Sequence, residues 1–186
     1  MSLDTLTFNN VDYVVYVSDV EADAYLNVDP RYQPKWNAIA ATDRIRCIIS
    51  ATRALDRYRW AGSKADDAQE NAFPRVGLVD AEGLPVIDDN VPPDIEDACC
   101  ILAGELAIDP GVLTSESGKV GSVSVSGALS VTYRGPLPDA KSSGISTVDA
   151  LIAPYLAGNS VAGAAYGTGG SDAFANSPAG LGEGFN

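Results

Sequence analysis

The chain has 186 residues, 46% of them apolar, and a formal net charge of −13, which suits one domain with its own core plus appendages rather than two full-sized domains. No apolar run approaches the roughly 18–20 residues that a membrane-spanning helix needs, and the acidic excess opposes capture of a phosphate backbone, which works through counterion release by Lys and Arg. With no histidine and only three cysteines, none in a CxxC pair, zinc sites and His-based acid–base or nucleophile systems lack essential parts, so no catalytic residue, metal or cofactor is expected and the chain does not read as an enzyme.

The first residues carry acid rather than base and no long apolar core, unlike a signal peptide, so synthesis and residence in a cytoplasm are expected. Phe8, Val11, Tyr13, Val14, Val15 and Tyr16 around the turn-forming Asn9 and Asn10 predict a short extended segment. Ser18 with Glu21 fits a capping box, and Asp19, Glu21 and Asp23 place negative charge at the positive end of a helix that should stop before Pro30. From Asn37 to about Trp60, Ile45, Ile48, Ile49 and Leu55 recur at helical spacing while Arg46, Arg53 and Arg57 share another face. This is the expected central core helix, with Trp36 as a plug at its entrance.

Residues 55–75 pack Arg57, Tyr58, Arg59 and Trp60 at the helix end, with Gly62 allowing a sharp exit and Pro74 fixing the far side of the loop. Aromatics beside arginines are interface chemistry, although the fold itself can consume Tyr58, Trp60 and Phe73. Residues 61–91 are a long excursion with turns, in which Asp80, Glu82, Asp88 and Asp89 match no EF-hand spacing and read as hydrated turn acids. Pro92 and Pro93 open a further helix with Ile95, Cys99, Leu102 and Leu106 as its buried stripe. Cys99 there is core filling, and the odd count of Cys47, Cys99 and Cys100 argues against disulfides.

After Pro110 the period changes. Val123 and Val125 alternate with serine, a Ser-Gly turn follows, and Leu129, Val131 and Tyr133 alternate again, giving a β-hairpin arm over about 119–134 that must lie on the core or on a neighbouring subunit. Ser146 and Thr147 should cap a short helix that Pro154 kinks or ends. Residues 158–186 hold eight glycines, six alanines and no base, with isolated Tyr166, Phe174 and Phe185. Such a segment is a flexible tail that can dock in extended form, using its aromatics as anchors. The GTGG run at 167–170 lacks the strand and the GK[ST] ending of a phosphate loop.

Charge is segregated. Residues 1–30 hold six acids and no base, 31–75 hold nine of the twelve bases, and 76–118 hold ten acids and no base. Basic and acidic surfaces are therefore expected to meet, within the fold or between copies.

Trp36, ATRALD at 51–56, YRWAG at 58–62, Gln69, FPR at 73–75, DAEG at 80–83, VPPDIEDA at 91–98, KVG at 119–121, VTY at 131–133 and VDALIAPYL at 148–156 follow in order. In that series the chain resembles the neck, or head-completion adaptor, proteins of tailed bacteriophages, a group also labelled a DnaT-like single-stranded-DNA-binding family. The resemblance spans about residues 18–157. It implies a mainly α fold, a small helical bundle over residues 1–157 with an inserted β-hairpin arm and an extended tail. It also implies a virion protein that forms a ring, commonly dodecameric, beneath the portal, joining head to tail components while DNA passes through without specific binding.

Under that reading the subunit-interface candidates are Arg46, Arg53, Arg57, Arg59, Val123, Val125, Val131 and Tyr133. Tyr166, Phe174 and Phe185 are the candidates for docking the tail on the portal protein. The alternative is a single-stranded DNA binder that uses Tyr58, Trp60, Arg57 and Arg59 as a stacking platform.

Overall fold

The computed structural model describes residues 3–87, 90–113 and 143–158, together with the backbone of two short strands at Val123–Val125 and Leu129–Val131. The described architecture is mainly helical. Helices α1 (Asp19–Val28), α2 (Gln33–Ala38), α3 (Ala41–Leu55), α4 (Pro93–Ile108) and α5 (Ser146–Ile152) are accompanied by separate two-stranded antiparallel pairs.

The extended N-terminal segment is itself a hairpin. Strands β1 (Asp4–Phe8) and β2 (Val11–Val15) pair in the register Leu6↔Tyr13 and Phe8↔Val11. Asn9 and Asn10 both take positive φ, 52° and 62°, the backbone that a two-residue turn needs to match the strand twist and that Asn tolerates better than most residues. Period-2 geometry then puts Leu6, Phe8, Val11, Tyr13 and Val15 on one face. That face grades outward, from fully buried Val15 through half-buried Tyr13 and Phe8 to exposed Val11.

The capping box at Ser18 forms as expected: Glu21 N–H donates to Ser18 Oγ at 3.2 Å, and Ser18 N–H donates to Glu21 Oε2 at 2.9 Å. The helix expected over residues 37–60 is instead broken in two and ends early. Ile39 and Ala40 are extended, both with ψ 152°, and the Ala40 carbonyl starts α3 by accepting from Asp43 and Arg44. The break lets α2 turn Trp36 fully inward, where its indole N–H donates to Asp23 at 2.5 Å. At the far end Trp60 folds back and donates from Nε1 to the Leu55 carbonyl at 3.1 Å, which also accepts from Tyr58 N–H at 3.1 Å, so that the helix end is closed from two sides.

The middle of the molecule belongs to α4, not to α3. Beyond the expected stripe of Ile95, Cys99, Leu102 and Leu106, every residue from Ala98 to Leu106 is buried, because α1, α2, α3 and α5 all pack on this helix. A helix surrounded on all sides must be apolar all round. Gly104 provides the close approach to α1 and α2: a Cβ there would lie 2.8 Å from both Leu26 Cδ2 and Tyr32 Cδ1. The one buried acid on α4, Glu105, is satisfied by the Tyr32 hydroxyl at 2.9 Å and by Arg31 at 2.5 Å, as a buried charge requires.

The excursion at 61–91 is fixed by polar bonds. Strand β3 (Ser63–Lys64) pairs with β4 (Arg75–Val76), and Arg75 donates to the carbonyls of Ala61, Ala72 and Gly62 at 2.7, 3.1 and 2.9 Å. Asn71 reaches across to the Val14 carbonyl at 3.0 Å.

Strands β5 (Val123–Val125) and β6 (Leu129–Val131) form the expected hairpin, with Val123 opposite Val131. Helix α5 starts one residue earlier than its serine cap implied: Ile145 is the N-cap, with no side-chain cap bond, and Pro154 lies in a 3-10 turn, Ala153–Tyr155, that ends the helix. The chain then runs beside residues 59–61, where Ala157 N–H donates to the Arg59 carbonyl and Ala61 N–H to the Tyr155 carbonyl, both at 2.8 Å.

Candidate nucleic-acid interface

The arginines of the basic block divide into two groups. Arg31 pairs with Glu105, Arg44 holds Asp23 at 3.2 Å, and Arg75 spends its donors on backbone carbonyls. These three serve the fold, and the first two realise within one chain the expected meeting of basic and acidic segments. Arg46, Arg53, Arg57 and Arg59 remain exposed. Arg46 and Arg53 lie on the solvent face of α3, and Arg57 falls at the same spacing just beyond its end. Arg46 pairs with Asp43 at 2.6 Å, whereas Arg53, Arg57 and Arg59 form no ion pair with a described acid.

The β1–β2 hairpin packs beside α3 and supplies aromatic rings to this face. The Arg46 guanidinium sits 4.9 Å from the Phe8 ring centroid and that of Arg53 sits 5.1 Å from the ring of Tyr13, both inside the range of cation–π attraction. The result is a row of cations laid over two half-buried rings. Neither ring stood among the sequence candidates. The alternation of Leu6 with Phe8 and of Val11, Tyr13 and Val15 marks one face of a hairpin, but it does not say that this face meets α3.

The stacking platform expected from Tyr58 and Trp60 is consumed by the fold. Trp60 is 6% exposed and lies edge-on to fully buried Phe73 at 4.8 Å, while Tyr58 is half-buried against Trp60. Phe73 in turn meets Tyr16, whose hydroxyl donates to Asp56, and the same Asp56 oxygen accepts from Ala72 N–H at 2.8 Å. Burial pushes the Tyr16 hydroxyl far above its usual range. This aromatic group fastens residues 71–73 to the end of α3.

Other chemistry-bearing residues also have structural employment. Burial pushes the thiols up, Cys47 to about 11 and Cys99 to about 12, so both stay protonated and unreactive near neutrality. Among the described residues no group of three or more His, Cys, Asp or Glu could hold a metal ion. Asp80 accepts from Glu82 and Leu84 N–H at 2.9 and 2.8 Å and so holds a turn, while Asp88 and Asp89 lie outside the described residues.

Carboxyls do gather where β1, α1 and α4 meet. Burial raises Asp4, Glu96 and Asp97 above the ordinary range, with repulsion from Glu21 adding to the first two and from Asp94 to the third. Glu21 is lowered by the Ser18 N–H. Of the remaining candidates, Val123, Val125 and Val131 are placed only as paired backbone, and Tyr133, Tyr166, Phe174 and Phe185 lie outside the described residues.

A family model described as "Putative DnaT-like ssDNA binding protein" matches residues 9–168. That span takes in the arginine row, the rings beneath it from Tyr13 onward, and both arms of the β5–β6 hairpin. No curated protein and no solved structure matches the chain.

Proposed function

The chain belongs to the DnaT-like ssDNA binding protein family, and from that premise we propose that it is a non-enzymatic protein that holds single-stranded DNA against the arginine face of α3 and the β1–β2 hairpin. The observation that carries this reading is the layering of Arg46 over Phe8 and Arg53 over Tyr13, extended by Arg57. Single strands are bound by cations that follow the backbone and by flat faces on which bases stack, and a guanidinium already seated on a ring presents such a face itself. Tyr58 and Trp60 are not the platform. The net charge of −13 keeps the affinity modest and dependent on low ionic strength.

The test is fluorescence anisotropy of a labelled oligonucleotide across a salt series. Three arginines on phosphates give a slope of log affinity against log salt of about −2, at about −0.7 per phosphate on a single strand. Arg53→Ala and Arg57→Ala each make the slope shallower while leaving the fold intact. Absence of binding at low salt, or binding indifferent to both substitutions, removes the proposal.

A second reading, the ring-forming head–tail adaptor, is favoured by the charge distribution. Arg53, Arg57 and Arg59 have no described acid partner, and none of Asp4, Glu21, Glu96 and Asp97 is ion-paired to a described Lys or Arg. Head-to-tail contacts between copies would bring the two sets together. The bacteriophage resemblance supplies the portal protein and a tail-side protein as partners, a virion neck as the location, and DNA passage through an acidic channel. Light scattering after size exclusion, with and without portal protein, tests it: a ring-sized particle supports the adaptor, and a chain that stays monomeric in both conditions rules it out.

A further inference from the structure

The stretch at 78–87 is a bonded finger with exposed apolar side chains along its length. Leu78 is buried at its base. Val79 bridges Pro85, Asp80 N–H donates to the Leu84 carbonyl at 2.9 Å, Gly83 N–H to the Asp80 carbonyl at 3.1 Å and Val86 N–H to the Leu78 carbonyl at 3.0 Å. The Asp80 carboxylate adds its two bonds to Glu82 and Leu84 N–H. On this fixed frame Val79, Leu84 and Ile87 stand 39%, 56% and 70% exposed. Leaving such side chains in water on ordered backbone gains nothing for the fold, and grouped exposed apolar residues mark contact sites.

The finger lies where the C-terminal segment departs. Ala61 N–H donates to the Tyr155 carbonyl at 2.8 Å, and Ser63, two residues on, pairs with Val76, which leads into the finger at Leu78. Gly158, three residues after Tyr155, is the last described position, and 28 residues follow it. At about 3.3–3.6 Å per extended residue, a fraction of that length suffices to reach along the finger. The first charge in the segment is Asp172, and its large apolar side chains, Val161, Tyr166, Phe174, Leu181 and Phe185, are spaced through glycine and alanine.

We propose that the finger is the docking point for the chain's own residues 159–186, whose aromatic side chains cover Leu84 and Ile87. The contact is an interaction surface in cis, independent of the arginine face.

Hydrogen exchange on the full-length protein tests it from both sides. In the Leu84→Asn/Ile87→Asn double variant, peptides within 159–186 should exchange about tenfold faster than in the unsubstituted chain, the ratio that 1.4 kcal/mol produces. Chymotryptic cleavage at Tyr166 and Phe174 should accelerate likewise. In a Tyr166→Ser/Phe174→Ser/Phe185→Ser variant, amides at 79–87 should lose protection while α4 keeps its own. Exchange in 159–186 at unprotected rates in the unsubstituted chain overturns the proposal, as does indifference of either segment to substitution of the other. Protection that grows with protein concentration assigns the contact to a second copy and overturns it too. So does protection that appears on Val20 and Val28 instead of on the finger.

Discussion

Trp60 and Arg53 lie seven positions apart and have opposite employments. Trp60 is inside, bonded to the end of α3 and packed on Phe73; Arg53 is outside, over Tyr13. Trp60→Ala should therefore cost about 3–5 kcal/mol of stability, as large-to-small changes of buried aromatics do, visible as a lower urea midpoint. Any loss of oligonucleotide binding in that variant should follow the unfolded fraction. Arg53→Ala should do the reverse, weakening binding at a nearly unchanged midpoint, because a single exposed cation–π contact is worth only about 0.5–1 kcal/mol. Equal midpoints for Trp60→Ala and the unsubstituted chain would refute this division of labour.

Among the elements, α4 decides how closely the others approach. Gly104 leaves room for Leu26 of α1 and for Tyr32, which leads into α2 and whose hydroxyl is tied to Glu105 on α4 itself. In an exposed helix Gly→Ala would stabilise by up to about 1 kcal/mol. Here the added methyl meets a ring that cannot swing away without breaking its bond to Glu105. Gly104→Ala should therefore be net destabilising, by about 1–3 kcal/mol as overpacked cores are. Its thermal midpoint should fall, while Gly83→Ala, which meets no atom within 4 Å but sits at φ +83°, should lose only the smaller cost of a left-handed backbone. A Gly104→Ala protein at least as stable as its parent would show that α4 has slack.

Over the whole molecule, the acidic excess couples stability to pH. A carboxyl with a higher pKa in the folded chain than in the unfolded one binds its proton more tightly when folded. Its stabilising contribution is fully present below the unfolded pKa and is lost as pH rises through the folded value. Asp4, Glu96 and Asp97 are of this kind, and Glu21, lowered by the Ser18 N–H, works in the opposite sense. With three groups against one, and general repulsion at a net charge of −13, the urea midpoint should rise as pH falls from neutrality into the upper carboxylate range. Glu96→Gln should raise the neutral-pH midpoint and flatten that rise. A midpoint that falls steadily over the same interval would contradict the sign.

Much of the chemistry that is local in space was legible in the sequence, though the serine cap expected for α5 was not used. The Ser18–Glu21 cap, the Pro92–Pro93 helix start, the β5–β6 pairing and the inward Trp36 all rest on neighbours along the chain or on a single strong preference for burial. Tertiary structure decided what depends on distant partners. The break at Ile39–Ala40 follows from Trp36 reaching Asp23, and the centrality of α4 from four helices closing on it. Trp60 was withdrawn from the surface by Phe73 and the Leu55 carbonyl. The cation–aromatic face exists because a hairpin of residues 4–15 lies against arginines some forty positions later, and no periodicity within either segment records that contact.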